Sequence, residues 1–180
     1  MSANDEKKTL AQDPLEGLLA DDPQMLEAIK LVINGATLAD AKGISKKQLE
    51  GLYAAAYQVY QAGDYAKAEA VFATLCLLNH LEKRFWLGLG GARQQLGKHA
   101  EATQAFGMAS MQDLHDPVPP LHAGMCFLAL KDKKNAANAF RQAVIVAGDR
   151  PEQSASKKQG QAMLDLLGAP LYETENAQGA

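Results

Sequence analysis

The fold is decided by residues 84–106, Arg-Phe-Trp-Leu-Gly-Leu-Gly-Gly-Ala-Arg-Gln-Gln-Leu-Gly-Lys-His-Ala-Glu-Ala-Thr-Gln-Ala-Phe. The stretch contains Trp86-x-x-Leu89-Gly90, followed by Gly97, Ala102 and Phe106. Residues of the same type stand 34 positions before and after several of these. They are the alanines 68, 102 and 136, the phenylalanines 72, 106 and 140, and the small residues 56, 90 and 124. Agreement of three series at one interval indicates an internal repeat.

A period of 34 residues with W-x-x-L-G, a small residue and an aromatic is the pattern of tetratricopeptide repeats, in which each unit is a pair of helices. Small residues let the two helices of a unit approach closely. An aromatic one turn later fills the space between consecutive units, and stacking buries a continuous core. We therefore predict an all-α superhelix of three tandem helix-turn-helix repeats with flanking N- and C-terminal helices.

Helix-end signals agree with this register. Ser45-Lys-Lys-Gln48 predicts a capping box that opens the first helix of repeat one. Gly63 and Gly97 predict a left-handed residue after the first helices of repeats one and two. The third repeat has Lys131-Asp-Lys-Lys134 where that glycine is expected, and Pro117-Val-Pro-Pro120 predicts a break and a restart before it.

These signals divide the chain into one domain, 22–168, between two polar ends. The N-terminal end is predicted to be disordered because it is polar and poor in aromatics. The predicted segments are a disordered stretch 1–21, a leading helix at about 23–34, repeats at about 49–82, 83–116 and 117–150, a capping helix at about 151–167 and a flexible tail 169–180.

Composition excludes several functional classes. The chain has 180 residues with a formal net charge of -3 and a pI of about 5.8, which argues against a large basic surface for nucleic acid or anionic lipid. No apolar run approaches the roughly 18 residues that a membrane span needs, and the charged start does not resemble a secretory signal. Cys76 and Cys126 lie in separate apolar segments, which indicates buried thiols in a reducing cytoplasm.

A row of tyrosines marks a candidate binding surface. Tyr53, Tyr57 and Tyr60 fall at i, i+4 and i+7 and form one stripe on the first helix of repeat one. This stripe is offset from the predicted core positions, which are Leu52, Ala55, Ala56 and Val59. It should point into the concave groove, where tyrosine suits an extended, proline-containing peptide. The alternative for any one of them is packing beneath the leading helix. One and two repeats further on, the equivalent positions are Leu87, Gly91 and Gln94, and then Leu121, Met125 and Leu128.

Catalytic and cofactor chemistry finds little support. Gly88-x-Gly90-Gly91 faintly resembles a phosphate loop, but no strand precedes it and it lies within a predicted helix. His115, His122 and Cys126 lie close together, but a structural zinc site usually needs a fourth ligand. We therefore predict no enzyme activity, no cofactor and no metal, with His122 and Cys126 as core residues.

The chain resembles a specific chaperone family in several stretches. They are Leu75-Cys-Leu-Leu-Asn-His80, residues 84–97, Gly35-Ala-Thr-Leu38, Leu49-x-x-Leu52-Tyr53, and Asp116-Pro117 with His122-Ala-Gly-x-Cys126. Together, over roughly 25–147, they resemble the class II chaperones of bacterial type III secretion systems. That resemblance implies a concave groove that binds a Pro-x-Leu-x-x-Pro-like segment of a hydrophobic translocator protein. It maps the groove aromatics onto Tyr53, Tyr57 and Tyr60, and further implies Tyr65 and Leu78.

The resulting hypothesis is a cytoplasmic bacterial chaperone that keeps translocators from aggregating and from associating prematurely before export. A regulatory adaptor for a transcription activator or a secretion-apparatus component is the alternative. We also expect that the chain can form a homodimer through its leading helix, as the family often does. The predicted groove residues are Tyr53, Tyr57, Tyr60, Tyr65, Leu78, Arg84, Leu87, Gln94, Leu121 and Met125.

Overall fold

The computed structural model describes residues 35–171, which are helical throughout apart from turns and short connections. Within this range there are eight α-helices and no strand. They are α1 (Leu38–Ala41), α2 (Lys46–Gln61), α3 (Tyr65–Leu78), α4 (Lys83–Gln95), α5 (His99–Gln112), α6 (Val118–Ala129), α7 (Lys133–Ala147) and α8 (Ser154–Leu167), with a 3-10 turn at Pro151–Gln153 before the last.

Each helix packs chiefly against its neighbours in the chain, from α2 through to α8. Three-residue turns join α2 to α3, α4 to α5 and α6 to α7, and connections this short make helical hairpins. The three hairpins stack in chain order and α8 packs on α7. The predicted all-α repeat fold is confirmed.

Three phenylalanines hold the stack together. Phe72, Phe106 and Phe140 are at most 2% exposed. A Cβ built on Gly90 would lie 2.6 Å from the ring of Phe106, and one built on Gly124 would lie 2.5 Å from the ring of Phe140. In these two repeats, the phenylalanine of the second helix therefore packs directly against the small residue of the first helix. In the first repeat, Ala56 stands at that position and is fully buried.

The turns inside the hairpins share one backbone conformation. Gly63 and Gly97 have φ of +83° and +73°, as predicted, and Lys131 adopts the same left-handed conformation with φ of +61°. Asp64 and Asp132 then cap the following helices, since their carboxylates accept hydrogen bonds from the backbone N–H groups three residues on. The third turn thus keeps its shape despite having lysine where the other two have glycine.

The start of α2 also follows its sequence signal. The Ser45 hydroxyl accepts a hydrogen bond from the backbone N–H of Gln48 at 3.3 Å, and the Gln48 side chain accepts one from the backbone N–H of Ser45 at 2.9 Å. The predicted capping box is therefore present. The restart predicted at 117–120 is present too, because α6 begins at Val118 with Pro119 and Pro120 in its first turn, where proline is tolerated.

One predicted core position is wrong. Ala55 is exposed, whereas Ala56 is buried and Leu52 and Val59 are half-buried. The equivalent of Ala55 in the second repeat, Leu89, is buried against the first repeat. Repeat one has no preceding repeat within residues 35–171, so its corresponding face is uncovered there.

The array ends in α8, which follows the 3-10 turn that starts at Pro151. Leu164 is fully buried against α7, while Lys158 and Asp165 are exposed. Gly168 ends the helix with φ of +63°. The predicted disordered stretch 1–21 and leading helix 23–34 lie outside the described residues, as does the tail beyond 171. Among the helices in between, none has the length and apolar character to cross a membrane.

Candidate functional site

A cleft of about 500 Å³ opens along the first helices of the three repeats. It is formed by α2, α4 and α6, and two phenylalanines of the second helices reach its floor. The lining comprises Tyr53, Tyr57, Tyr60, Phe72, Arg84, Leu87, Gly88, Gly91, Gln94, Gln95, Phe106, Val118, His122 and Met125. The lining is predominantly apolar, with aromatic residues of repeat one at one end and Met125 of repeat three at the other.

Seven of the ten predicted groove residues line this cleft, and the other three lie elsewhere. Tyr65 packs edge-on against Tyr60, with ring centroids 5.2 Å apart, and so supports it from behind. Leu78 is half-buried against the core around Phe72. Leu121 is 5% exposed and packs in the core of repeat three, because α8 covers the face of α6 on which it lies.

The aromatic wall of the cleft consists of Tyr53, Tyr57 and Tyr60. It is closely packed at its base and exposed at its rim. The ring of Tyr53 lies 6.0 Å from that of Phe72 and 5.7 Å from that of Phe85. Tyr57 stacks on Tyr53 at 6.4 Å and is 50% exposed. Burial raises the pKa of Tyr53 and of Tyr60, so both hydroxyls stay protonated at neutral pH. The wall therefore offers a large apolar area together with hydroxyl groups.

Two glycines of α4 create the depth of the cleft. Gly88 lies directly against the ring of Phe72, which leaves no room for a side chain. A Cβ at Gly91 would instead be 3.5 Å from the Tyr60 hydroxyl oxygen, an ordinary contact. The cluster from Gly88 to Gly91 lies inside a regular helix rather than in a loop, so it has the geometry of a packing surface, not of a phosphate-binding loop.

An ion-pair cluster forms one rim. Arg84 is 2.6 Å from a Glu50 carboxylate oxygen and 3.0 Å from one of Glu82, and its guanidinium carbon lies 4.9 Å from the centre of the Tyr53 ring. Hydrogen bonds from Arg84 lower the pKa of Glu50 and of Glu82. The positive charge of Arg84 is thus neutralised locally, and its flat guanidinium extends the aromatic wall.

A polar pair interrupts the apolar surface on the opposite side. Nδ1 of His122 on α6 lies 3.3 Å from Oε1 of Gln94 on α4, and the imidazole stacks on Phe106 with ring centroids 5.3 Å apart. Burial lowers the pKa of His122, which favours the neutral ring. His122 lines the cleft, so its predicted place in the core is wrong. Helical spacing was the signal that could have placed it here, since His122 precedes the predicted groove residue Met125 by three positions.

The buried cysteines do not contribute to the cleft. Burial raises the pKa of Cys76 to about 12 and that of Cys126 to about 11, so both are protonated thiols with little nucleophilic character at neutral pH. Their predicted burial is confirmed. Over the range 35–171, no three His, Cys, Asp or Glu side chains are grouped so that they could hold a metal ion.

A stack of helical hairpins with an open, largely apolar cleft along its first helices is typical of repeat proteins that bind extended peptides. Comparisons with known proteins specify which kind. No protein-family model matches the sequence. Among curated proteins, the low calcium response locus protein H of Yersinia pseudotuberculosis is 34% identical over 133 residues, which cover 74% of this chain and 79% of that protein.

Solved structures agree with that relative. The type III secretion translocator chaperone SycD of Yersinia enterocolitica matches with a TM-score of 0.68 and 33% identity, over 73% of this chain and 98% of that one. PcrH of Pseudomonas aeruginosa, solved with the chaperone binding region of PopD, matches with a TM-score of 0.68 and 36% identity, over 70% and 95%. The chain belongs to the family of class II translocator chaperones of type III secretion systems.

Proposed function

We propose that this protein binds an extended segment of a hydrophobic translocator protein in the cleft between α2, α4 and α6, and so keeps the translocator from aggregating or associating prematurely before export. The segment would have a Pro-x-Leu-x-x-Pro-like pattern, and binding would take place in the bacterial cytoplasm. The observation that carries the proposal is an open apolar cleft of about 500 Å³ that crosses all three repeats.

Relatives support the choice of guest. PcrH has been solved in complex with the chaperone binding regions of PopD and of PopB. SycD has been solved in complex with a peptide of the translocator YopD. Each of these chaperones is at least 33% identical to this chain with a TM-score of at least 0.65, so the same kind of guest is a reasonable expectation for this cleft.

The lining is suited to holding a chain rather than to changing it. Its charged group, Arg84, is engaged by Glu50 and Glu82, and its other side chains are aromatic, aliphatic, amide or imidazole. Affinity at such surfaces comes mainly from a few well-packed anchors. We therefore propose a non-enzymatic role in which Tyr53, Tyr57 and Tyr60 provide the principal anchors.

Calorimetric titration with the chaperone binding region of PopD tests this proposal. Tyr53→Ala combined with Tyr57→Ala should weaken binding at least tenfold, because aromatic anchors at interfaces are worth about 2 kcal/mol or more each. Leu77→Ala is the control, since Leu77 is 67% exposed and lies outside the cleft lining. Unchanged affinity in the double variant would show that the groove assignment is wrong.

We propose that residues 22–168 form one domain and that two copies associate through the segment 23–34, whose apolar residues Met25, Leu26 and Ile29 repeat at helical spacing. The existence of an alternative dimer in crystals of SycD supports self-association in this family.

A further inference from the structure

We propose that Gln94 and His122 form a reader of the guest's peptide backbone, in which His122 Nε2 accepts a hydrogen bond from one backbone N–H and the Gln94 amide donates one to a nearby backbone C=O. The inference rests on the proposed function, because it assigns a specificity-determining pair to the same cleft. The pair would then select an extended segment that has an unsubstituted backbone N–H, with a C=O nearby, at one defined position.

The hydrogen bond between the two side chains fixes their roles. The Gln94 oxygen can only accept, so Nδ1 of His122 must carry the proton in this 3.3 Å contact. A neutral imidazole with a proton on Nδ1 has a lone pair on Nε2, which makes that atom an acceptor. Burial of His122, which lowers its pKa, favours the neutral ring that this arrangement needs.

The His122 Nε2 atom and the Gln94 amide N–H groups are held in place, and neither makes a hydrogen bond within the part of the chain that the structure describes. Stacking on Phe106 at 5.3 Å with an interplanar angle of 21° fixes the imidazole plane. Among residues 35–171, no other side-chain hydrogen bond is present for Gln94 or for His122. One donor and one acceptor therefore remain available on neighbouring side chains of the cleft lining.

A peptide group is the ligand that such a pair fits. An extended segment in a cleft makes no hydrogen bonds within itself, so each N–H and C=O that loses water must find a partner. Leaving one buried and unpaired costs about 1–3 kcal/mol. The remaining lining near the pair, Met125, Val118 and Leu87, is aliphatic and cannot provide such partners.

The repeat shows that this polar pair is a local addition. His122 stands at the position of Gly88 in the previous repeat, where no side chain is present and Phe72 fills the space. The cleft surface is thus apolar between repeats one and two and has a polar contact point between repeats two and three. This asymmetry would also set the direction in which a guest lies.

The test is an N-methyl scan of the YopD peptide, titrated by calorimetry into the wild-type chain and into His122→Phe. In the wild type, N-methylation at one internal position should weaken binding about tenfold, because it removes the N–H that donates a hydrogen bond to His122. In His122→Phe, which keeps a ring to stack on Phe106, methylation at that position should cost no more than methylation at its neighbours. His122→Gln, which restores an acceptor oxygen, should recover part of the penalty.

The control and the second variant separate the possible outcomes. Tyr57→Ala should weaken every peptide but leave the methylation penalty unchanged, and Gln94→Met should reduce the penalty even if His122→Phe does not fold. If N-methylation at every position weakens binding equally in the wild type and in His122→Phe, the proposed role of Gln94 and His122 is wrong. The proposal that the peptide binds in the cleft would still stand. Failure of the unmodified peptide to bind the wild type would overturn both proposals.

Discussion

Gly90 and Gly91 are consecutive residues of α4 with opposite surroundings. Gly90 faces the core, where an added Cβ would lie 2.6 Å from the ring of Phe106. Gly91 faces the cleft, where the nearest atom, the Tyr60 hydroxyl oxygen, would be 3.5 Å away. A helix makes neighbouring positions point about 100° apart, so the same residue type allows close packing at one position and keeps the cleft open at the next.

This contrast predicts opposite stability changes for the two alanine substitutions. Gly91→Ala should raise the free energy of unfolding by about 1 kcal/mol, since alanine is favoured over glycine in a helix. Gly90→Ala should be less stable than Gly91→Ala by about 2 kcal/mol, because overpacking forces the Phe106 ring to move. Urea denaturation of both variants is the measurement, and equal stabilities would contradict the packing of Phe106 on α4.

A larger residue at the same cleft position should separate folding from binding. Gly91→Leu places an aliphatic side chain in the cleft and replaces a poor helix former in α4 by a good one. We expect a chain at least as stable as wild type that binds the chaperone binding region of PopD at least tenfold more weakly. Gly51→Leu is the matched control, because Gly51 is an exposed helical glycine outside the lining with no atom near its Cβ position. Full affinity in Gly91→Leu would mean that the guest lies elsewhere.

At the scale of elements, the turns carry the regularity of the repeat. Gly63, Gly97 and Lys131 have the same left-handed conformation, although only the first two are glycine. A residue with a Cβ pays about 1–2 kcal/mol for this conformation. The third hairpin keeps it because α6 and α7 pack together as extensively as the other hairpins and determine the turn between them.

Replacing Lys131 by glycine should therefore stabilise the protein. Lys131→Gly removes the steric cost of φ at +61°, and we expect an increase of about 1 kcal/mol in the free energy of unfolding, measured by urea denaturation. Gly97→Ala should cause a loss of similar size at the equivalent turn. Gln142→Gly, at an exposed position in the middle of α7, is the control and should destabilise by about 1 kcal/mol. A loss of stability in Lys131→Gly would contradict the left-handed turn.

The sequence predicted the starts of α2 and α6 correctly, because the signal for each lies in its first turn or just before it. Ser45 and the prolines at 119 and 120 act on backbone groups within a few residues, so their effect is visible in the chain. The conformation of Lys131 was not visible in this way, because nothing about lysine favours a left-handed backbone. Packing of the helices on either side decides it.

At the scale of the whole molecule, the array is asymmetric from end to end. Cleft residues of repeat one are aromatic, whereas those of repeat three are Val118, His122 and Met125. The helix α8 covers the end of repeat three, while the exposed Ala55 marks an uncovered face of repeat one within the described range. Within residues 35–171, one end of the stack is therefore covered by a helix and the face of repeat one at the other end is not.

That open end leads to a prediction for the N-terminal segment. Deletion of residues 1–34 should convert a dimer to a monomer if the apolar residues Met25, Leu26 and Ile29 form the contact between copies. Sedimentation equilibrium of the full chain and of the deletion gives the two masses. The triple substitution of these three residues by serine in the full chain is the control for effects of shortening. A dimeric mass in both variants would place the contact elsewhere.

The sequence by itself determined the repeat, the helices and the tyrosine stripe, because each depends on spacing along one helix or on a fixed interval of 34 residues. Tertiary structure alone decided which of several equivalent positions reach the cleft. Leu87 lines it whereas Leu121 is buried beneath α8, and His122 lines it although it was predicted to be a core residue. Equivalent residues have different neighbours at the two ends of a stack, and those neighbours are brought together only by folding.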